Sequence, residues 1–230
     1  MAAISENVRE VFARIEAAAV RAGRKPEDIT LVAATKTVDP DRINEAVRAG
    51  ITDIGENRVQ EFTDKYDSIT EDVTRHFIGH LQTNKVKYLI GKTYLIHSAD
   101  SDRVLDEIQR LSKKQGIRTN VLIEVNASGE ESKFGIDLAD VEKYLEANEK
   151  RDSVLICGLM TIGPNYSEPD EIREVFRKTY KKFLDIQQKK YDNSIMELLS
   201  MGMSADYEIA IEEGANIVRV GSAIFGKRNY

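Results

Sequence analysis

Lys36 closes the run ITLVAATK (29–36), whose other residues suit a buried parallel strand. By the two-residue alternation of a strand it shares a side with Val32 and Ala34, so its ammonium group would stand over whatever that inner face lines. Partial loss of hydration disfavours the charged amine and leaves some as the free base, which condenses with an aldehyde or ketone. The alternative is a lysine whose stem packs on the strand while its head reaches solvent.

Near the other end of the chain, LSMGMSADYE runs into Ser200 and Gly202, with Ser204 able to cap the next helix, and VRVGSAIFG ends on Gly221 and Ser222. Backbone N–H groups and hydroxyls gathered at two adjacent strand ends suit a phosphate, although serine and glycine are also ordinary turn residues. Arg219 alternates with Val218 and Val220; if the valines face a helix layer, Ile217 and Arg219 face inward. An inward guanidinium needs a partner, either a structural carboxylate or a ligand atom. An imine-forming lysine, a phosphate cradle and an inward arginine together describe a pocket for pyridoxal 5′-phosphate.

Positioning such groups requires strand ends that converge. Strand-like segments alternate with helical ones throughout: ITLVAATK, ITDIG, RHFIG, TYLIHS, TNVLIEVN, VLICGLMTI, IMELLSMG and NIVRVG. Helices are expected after Asp39-Pro40, from about Asn57, around Asn84 to Ile90, after Asp100, after Asp137, from about Glu168 to Lys190, and up to Glu213. Strands separated by helices pair in parallel, and eight such units over residues 1–230 predict a single-domain (β/α)₈ TIM-type barrel, an α/β fold with active groups at its C-terminal strand ends. An open doubly wound sheet is the other possibility, but no G-x-G-x-x-G turn follows the first strand. Ahead of the barrel, Ile4, Val8, Val11, Phe12, Ile15 and Ala19 predict an extra amphipathic helix rather than a signal peptide.

Composition narrows the function classes. With 41% hydrophobic and 31% charged residues the chain is an ordinary globular one. A net charge of −6, with the RKTYKK cluster at Arg177 to Lys182 read as the wet face of a helix, argues against nucleic acid. One cysteine and three separated histidines give no disulfide and little for a metal to bind. No apolar run is long enough to span a membrane, so a cytoplasmic location is expected.

LVAATKTV, GENRVQE, HFIGHLQTNK, EVNASGEESKFGI, GLMTIG and LSMGMSADYEIAIEEGANIVRVGSAIFG occur in this order over nearly the whole length. In these motifs the sequence resembles the pyridoxal phosphate homeostasis protein family, relatives of the N-terminal barrel of alanine racemase. The resemblance implies that Lys36 is the Schiff-base lysine, that Ser200, Gly202, Gly221 and Ser222 hold the phosphate, that Arg219 faces the pyridine nitrogen and that Asn57 lies near the cofactor. Ser222 stands where threonine is common in the family, which keeps the hydroxyl. His80, Gln82, Asn84 and Lys85 belong to a family signature without an assigned role, and also read as loop and helix-start residues.

The resemblance further implies a holder of pyridoxal 5′-phosphate, serving cofactor homeostasis and delivery to apo-enzymes, without robust catalysis and as a monomer. Related racemases add a C-terminal β-domain carrying a tyrosine base, whereas this sequence ends at Tyr230. The alternative is a racemase-like enzyme that uses Tyr207 or Tyr166 as the second base. A third reading is a cofactor-free aldolase in which Lys36 attacks a phosphorylated sugar.

Overall fold

The computed structural model describes residues 3–130, 133–164 and 168–226. The eight expected strands form as β1 (Thr30–Ala34), β2 (Asp53–Glu56), β3 (Thr74–Phe77), β4 (Leu95–Ala99), β5 (Thr119–Asn126), β7 (Val154–Met160), β8 (Ser194–Ser200) and β9 (Ile217–Val220). A further two-residue strand, β6 (Ile136–Asp137), adds to the end of β5 and was not expected. Neighbours pair in parallel around the ring, β4 pairs with β5, and β9 pairs with β1, so the sheet closes into an eight-stranded TIM-type barrel.

The helices are α1 (Ile4–Arg21), α2 (Pro40–Arg48), α3 (Val59–Lys65), α4 (Asp102–Gln115), α5 (Val141–Asn148), α6 (Pro169–Gln187), α7 (Tyr207–Glu212) and α8 (Ser222–Phe225). The helix expected around Asn84 to Ile90 is instead a 3₁₀ segment, Thr83–Tyr88. Gly91 and the start of β4 follow at once, and so short a segment closes with tighter i to i+3 bonds. The N-terminal helix α1 buries Ile4, Val8, Val11, Ile15, Ala18 and Ala19, while Phe12, expected among them, is 39% exposed. Among the described residues no helix is long and apolar enough to cross a membrane.

Two apolar layers record which way each strand residue points. Val32, Ile78, Leu95, Leu122, Cys157, Met160 and Ile217 pack together inside the barrel. Leu31, Ala33, Val121, Ile123, Val218 and Val220 join the layer beneath the helices. Each fully buried side chain of this size contributes roughly 1.5–3 kcal/mol. The alternation therefore aims Val32 and Ala34, and on β9 Ile217 and Arg219, into the barrel as expected.

Candidate functional site

The strand β1 stops at Ala34, and Lys36 lies half-buried in the turn that follows. Thr37 next to it adopts φ +62°, a left-handed conformation that a β-branched residue rarely takes and that costs about 1–3 kcal/mol. A bracket of side chains holds this turn. Thr35 Oγ1 donates to Glu56 Oε1 at 2.8 Å, and the Thr37 N–H donates to Glu61 Oε2 at 2.6 Å. Lys65 Nζ, 13% exposed, joins them by donating to the Thr35 carbonyl, Glu56 Oε1 and Glu61 Oε2 at 2.9, 2.9 and 3.0 Å. Burial holds the Glu56 carboxyl above its ordinary value, and the Lys65 ammonium and Thr35 hydroxyl offset only part of that rise. Two of these residues, Glu56 and Glu61, come from GENRVQE, and nothing in the sequence announces that they grip the lysine turn.

The strands β1 and β9 run side by side with Ala33 opposite Val220, so the Lys36 turn and the Gly221–Ser222 loop leave the barrel together. A Cβ on Gly221 would lie 3.1 Å from the Ala34 carbonyl oxygen, the close approach that makes glycine fit there. Gly202, at φ +88°, lets the β8 loop pass against α7; a Cβ there would lie 2.6 Å from the Ala210 Cβ. Ser204 does not cap α7. Its Oγ accepts the N–H groups of Gly221 at 3.0 Å and Ala223 at 3.5 Å and so ties the two loops into one rim. Ser222 is exposed at the start of α8.

Ser200 departs from this set. Its hydroxyl is fully buried in the barrel interior, accepting from Arg219 Nη1 at 2.5 Å and lying 3.0 Å from His97 Nδ1, so its place is beside Arg219 rather than in the loop rim expected to hold a phosphate. The second guanidinium nitrogen, Nη2, donates to the Thr161 carbonyl at 2.9 Å. The inward arginine thus has a hydroxyl and a carbonyl as partners, with no carboxylate in contact among the described residues. Burial pushes Arg219 down to about 10, opposed by Asp206 and Glu124, and it remains a cation at neutral pH. Glu124, buried on the inner side of β5, is pushed up to about 7 by burial and by Asp100.

Behind Arg219, hydrogen bonds continue across the barrel. His97 Nε2 lies 2.9 Å from His76 Nδ1, and His76 Nε2 lies 2.9 Å from Asp53 Oδ1. Two of the three histidines that look separated in sequence therefore meet on adjacent strands. The third, His80, sits at the mouth with Nδ1 3.0 Å from Asp100 Oδ2 and its ring stacked 3.9 Å from Phe134. Gln82 precedes the 3₁₀ segment without a side-chain cap bond, Asn84 is exposed, and Lys85 lies 5.8 Å from the Tyr88 ring, in keeping with loop and helix-start roles.

Asn57 follows β2 on the same side as Asp53 and Gly55, and its Oδ1 is buried with no hydrogen-bond partner among the described residues. Gly79 supports it from behind, for a Cβ there would lie 2.1 Å from the Asn57 carbonyl oxygen. Tyr207, proposed as a racemase base, is displaced from the mouth: it is 1% exposed in the outer helix layer, with Arg14 of α1 5.6 Å from its ring centroid. Tyr166, the other candidate base, and Tyr230 lie outside the described residues.

The mouth thus gathers the held Lys36 turn, a rim of two loops tied by Ser204, an inward cation and a buried acceptor without a partner among the described residues. A family model for the alanine racemase N-terminal domain matches residues 1–229. A pyridoxal phosphate homeostasis protein from Aquifex aeolicus is 46% identical over 226 residues, 98% of each chain. A solved structure from Bifidobacterium adolescentis, described as an unknown protein, superposes with TM-score 0.92 at 38% identity, covering 96% of this chain and 94% of that one. PipY from Synechococcus elongatus PCC7942, solved with PLP bound, superposes with TM-score 0.81 at 30% identity, covering 97% of this chain and all of that one.

Proposed function

This chain belongs to the pyridoxal phosphate homeostasis protein family, on the alanine racemase N-terminal fold, and from that premise we propose that it holds pyridoxal 5′-phosphate on Lys36 as a Schiff base and carries it in the cytoplasm without robust catalysis. The observation that carries this reading is the pairing of β1 with β9, which sends the Lys36 turn and the Gly221–Ser222 loop out of the barrel side by side, with Arg219 directed inward below them.

The residues present fit the group. When bound, it supplies an aldehyde that condenses with an amine and a ring that withdraws electrons. Lys36 offers the amine. The backbone of Gly202 and Ser222, with the Ser222 hydroxyl, suits the phosphate, and Gly221, whose N–H is given to Ser204, keeps the two loops together and lets the group approach closely. Asn57 Oδ1, buried without a partner among the described residues, suits a ligand hydroxyl. Arg219 faces the ring nitrogen, and because a guanidinium donates only, it leaves that nitrogen unprotonated.

The same groups argue for a carrier. An unprotonated ring is a poor electron sink, which weakens carbanion chemistry. The delivery role implies apo-enzymes needing the cofactor as recipients.

The test loads the purified protein with pyridoxal 5′-phosphate and offers it common amino acids. Racemisation, decarboxylation and transamination are expected to fall far below the typical enzyme range of about 1–10³ per second. The visible band of the bound cofactor is expected to decay when an apo-enzyme is added. Saturable turnover in that range, abolished by Lys36→Ala, would make the protein a racemase-like enzyme instead.

A further inference from the structure

The barrel interior carries more polar machinery than a cofactor-holding mouth needs. His76, His97, Ser200 and Arg219 are 2%, 0%, 0% and 4% exposed, in a space whose neighbours are Val32, Leu95, Leu122 and Ile217. Buried polar groups cost stability unless each is satisfied, and aliphatic side chains would fill the same space without that cost. Here each ring nitrogen and hydroxyl has a partner, and the partners form a single line.

Proton counting fixes the direction of that line. Arg219 can only donate, so Ser200 Oγ accepts from Nη1 and must give its own proton elsewhere. His97 Nδ1, at 3.0 Å, is the acceptor within reach and is therefore bare. The neutral His97 ring then carries its proton on Nε2 and donates to His76 Nδ1. This leaves the His76 proton on Nε2, donated to Asp53 Oδ1. A doubly protonated His76 would reverse the middle bond and put the His97 proton on Nδ1, leaving the Ser200 hydroxyl proton without an acceptor among these groups. Burial also holds His97 well below the ordinary imidazole range, as a neutral ring requires.

We propose that Asp53, His76, His97 and Ser200 form a one-way hydrogen-bond chain whose work is to fix the orientation of the Arg219 guanidinium toward the ring nitrogen of the cofactor. This rests on the reading of Arg219 as the ring-facing residue. The four are positioning residues that act through Arg219, Ser200 in direct contact and His97, His76 and Asp53 in series behind it. Ser200 moves in this account from the phosphate to the arginine. Asp53, 15% exposed at the beginning of β2, anchors the end of the chain, where the His76 bond helps hold its carboxyl below the usual range.

The test has two arms. In the cofactor-free protein, ¹⁵N correlation spectra of the histidine side chains are expected to show His76 and His97 both as neutral rings protonated at Nε2. A His97 ring protonated at Nδ1 would overturn the direction of the chain, and with it the proposal. The second arm titrates His97→Leu and His97→Gln with pyridoxal 5′-phosphate and records the absorption maximum of the bound form. His97→Leu is expected to loosen the cofactor by about tenfold or more and to shift the band, while glutamine, which can both accept and donate, restores most of the affinity. Ser200→Ala gives the same readout should the leucine variant not fold. Unchanged affinity and band in the variants that fold would reduce the chain to core packing. Failure of the unsubstituted protein to bind the cofactor at all would instead sink the underlying reading of the site.

Discussion

Replacing Lys65 with methionine removes the charge from the bracket beneath the Lys36 turn while keeping most of the side-chain volume. The Glu56 carboxyl, 3% exposed, would lose its cation. A buried carboxylate left ionised in this way costs about 3–5 kcal/mol. Protonating it at pH 7 costs at most about 3 kcal/mol, the figure for a carboxyl at the ordinary 4.5 at about 1.36 kcal/mol per pH unit, and less here because burial already raises it. The cheaper route wins, so Lys65→Met is expected to destabilise the fold by up to about 3 kcal/mol at pH 7. The sign with pH follows. In the variant the folded carboxyl titrates above its unfolded value of 4.5, so the folded state binds more protons and stability falls as pH rises. The loss should shrink to about 1 kcal/mol at pH 5. Urea unfolding at the two pH values measures both quantities, and Lys65→Met/Glu56→Gln should recover most of the pH 7 loss. A loss below about 1 kcal/mol at pH 7, or one independent of pH, would show that Lys65 does not compensate a buried charge.

Other substitutions probe the rest of the mouth. Arg219→Ala should weaken cofactor binding by about 1–3 kcal/mol in equilibrium titration, and unchanged affinity would confine the guanidinium to bonding Ser200 and Thr161. Glu124→Gln has the opposite sign to the lysine change: the carboxyl titrates at about 7 when folded against 4.5 in the ordinary case, so the native residue costs stability as pH rises through that window. Calorimetry should show the variant more stable by about 2–3 kcal/mol at pH 8 and no different near pH 4.5; equal stability at both would place that carboxyl in water. Gly79→Ala forces a methyl to within 2.1 Å of the Asn57 carbonyl oxygen, so it should cost about 1–3 kcal/mol and loosen the cofactor, and a variant with wild-type stability and affinity would contradict the close approach.

Much of this arrangement could be read along the chain because strands alternate with a period of two. Val32, Ala34, Ile217 and Arg219 fall inside the barrel for that reason alone, and the Asp39-Pro40 start of α2 follows from local backbone chemistry. What stayed hidden depends on neighbours that only closure supplies. Ser200 and Ser204 look alike in a serine- and glycine-rich stretch, and β8 against β9 decides that the first meets Arg219 and the second meets the Gly221 loop. Asp53, His76 and His97 lie on three strands, each next to another polar residue, Thr52, Arg75 and Ser98, and no local spacing links them. Tyr207 has a suitable phenol on a suitable stretch, yet the short helix α7 turns it toward α1. The bracket was half visible: GENRVQE marked Glu56 and Glu61, while Lys65, the cation between them, fell outside every motif.

Attachment at Lys36 is tested by loading the protein with pyridoxal 5′-phosphate, reducing it with borohydride and mapping the modified peptide by mass spectrometry. One stoichiometric adduct is expected on Lys36, absent from a folded Lys36→Ala variant. An adduct on Lys65, Lys85 or any other lysine, with Lys36 unmodified, would contradict it.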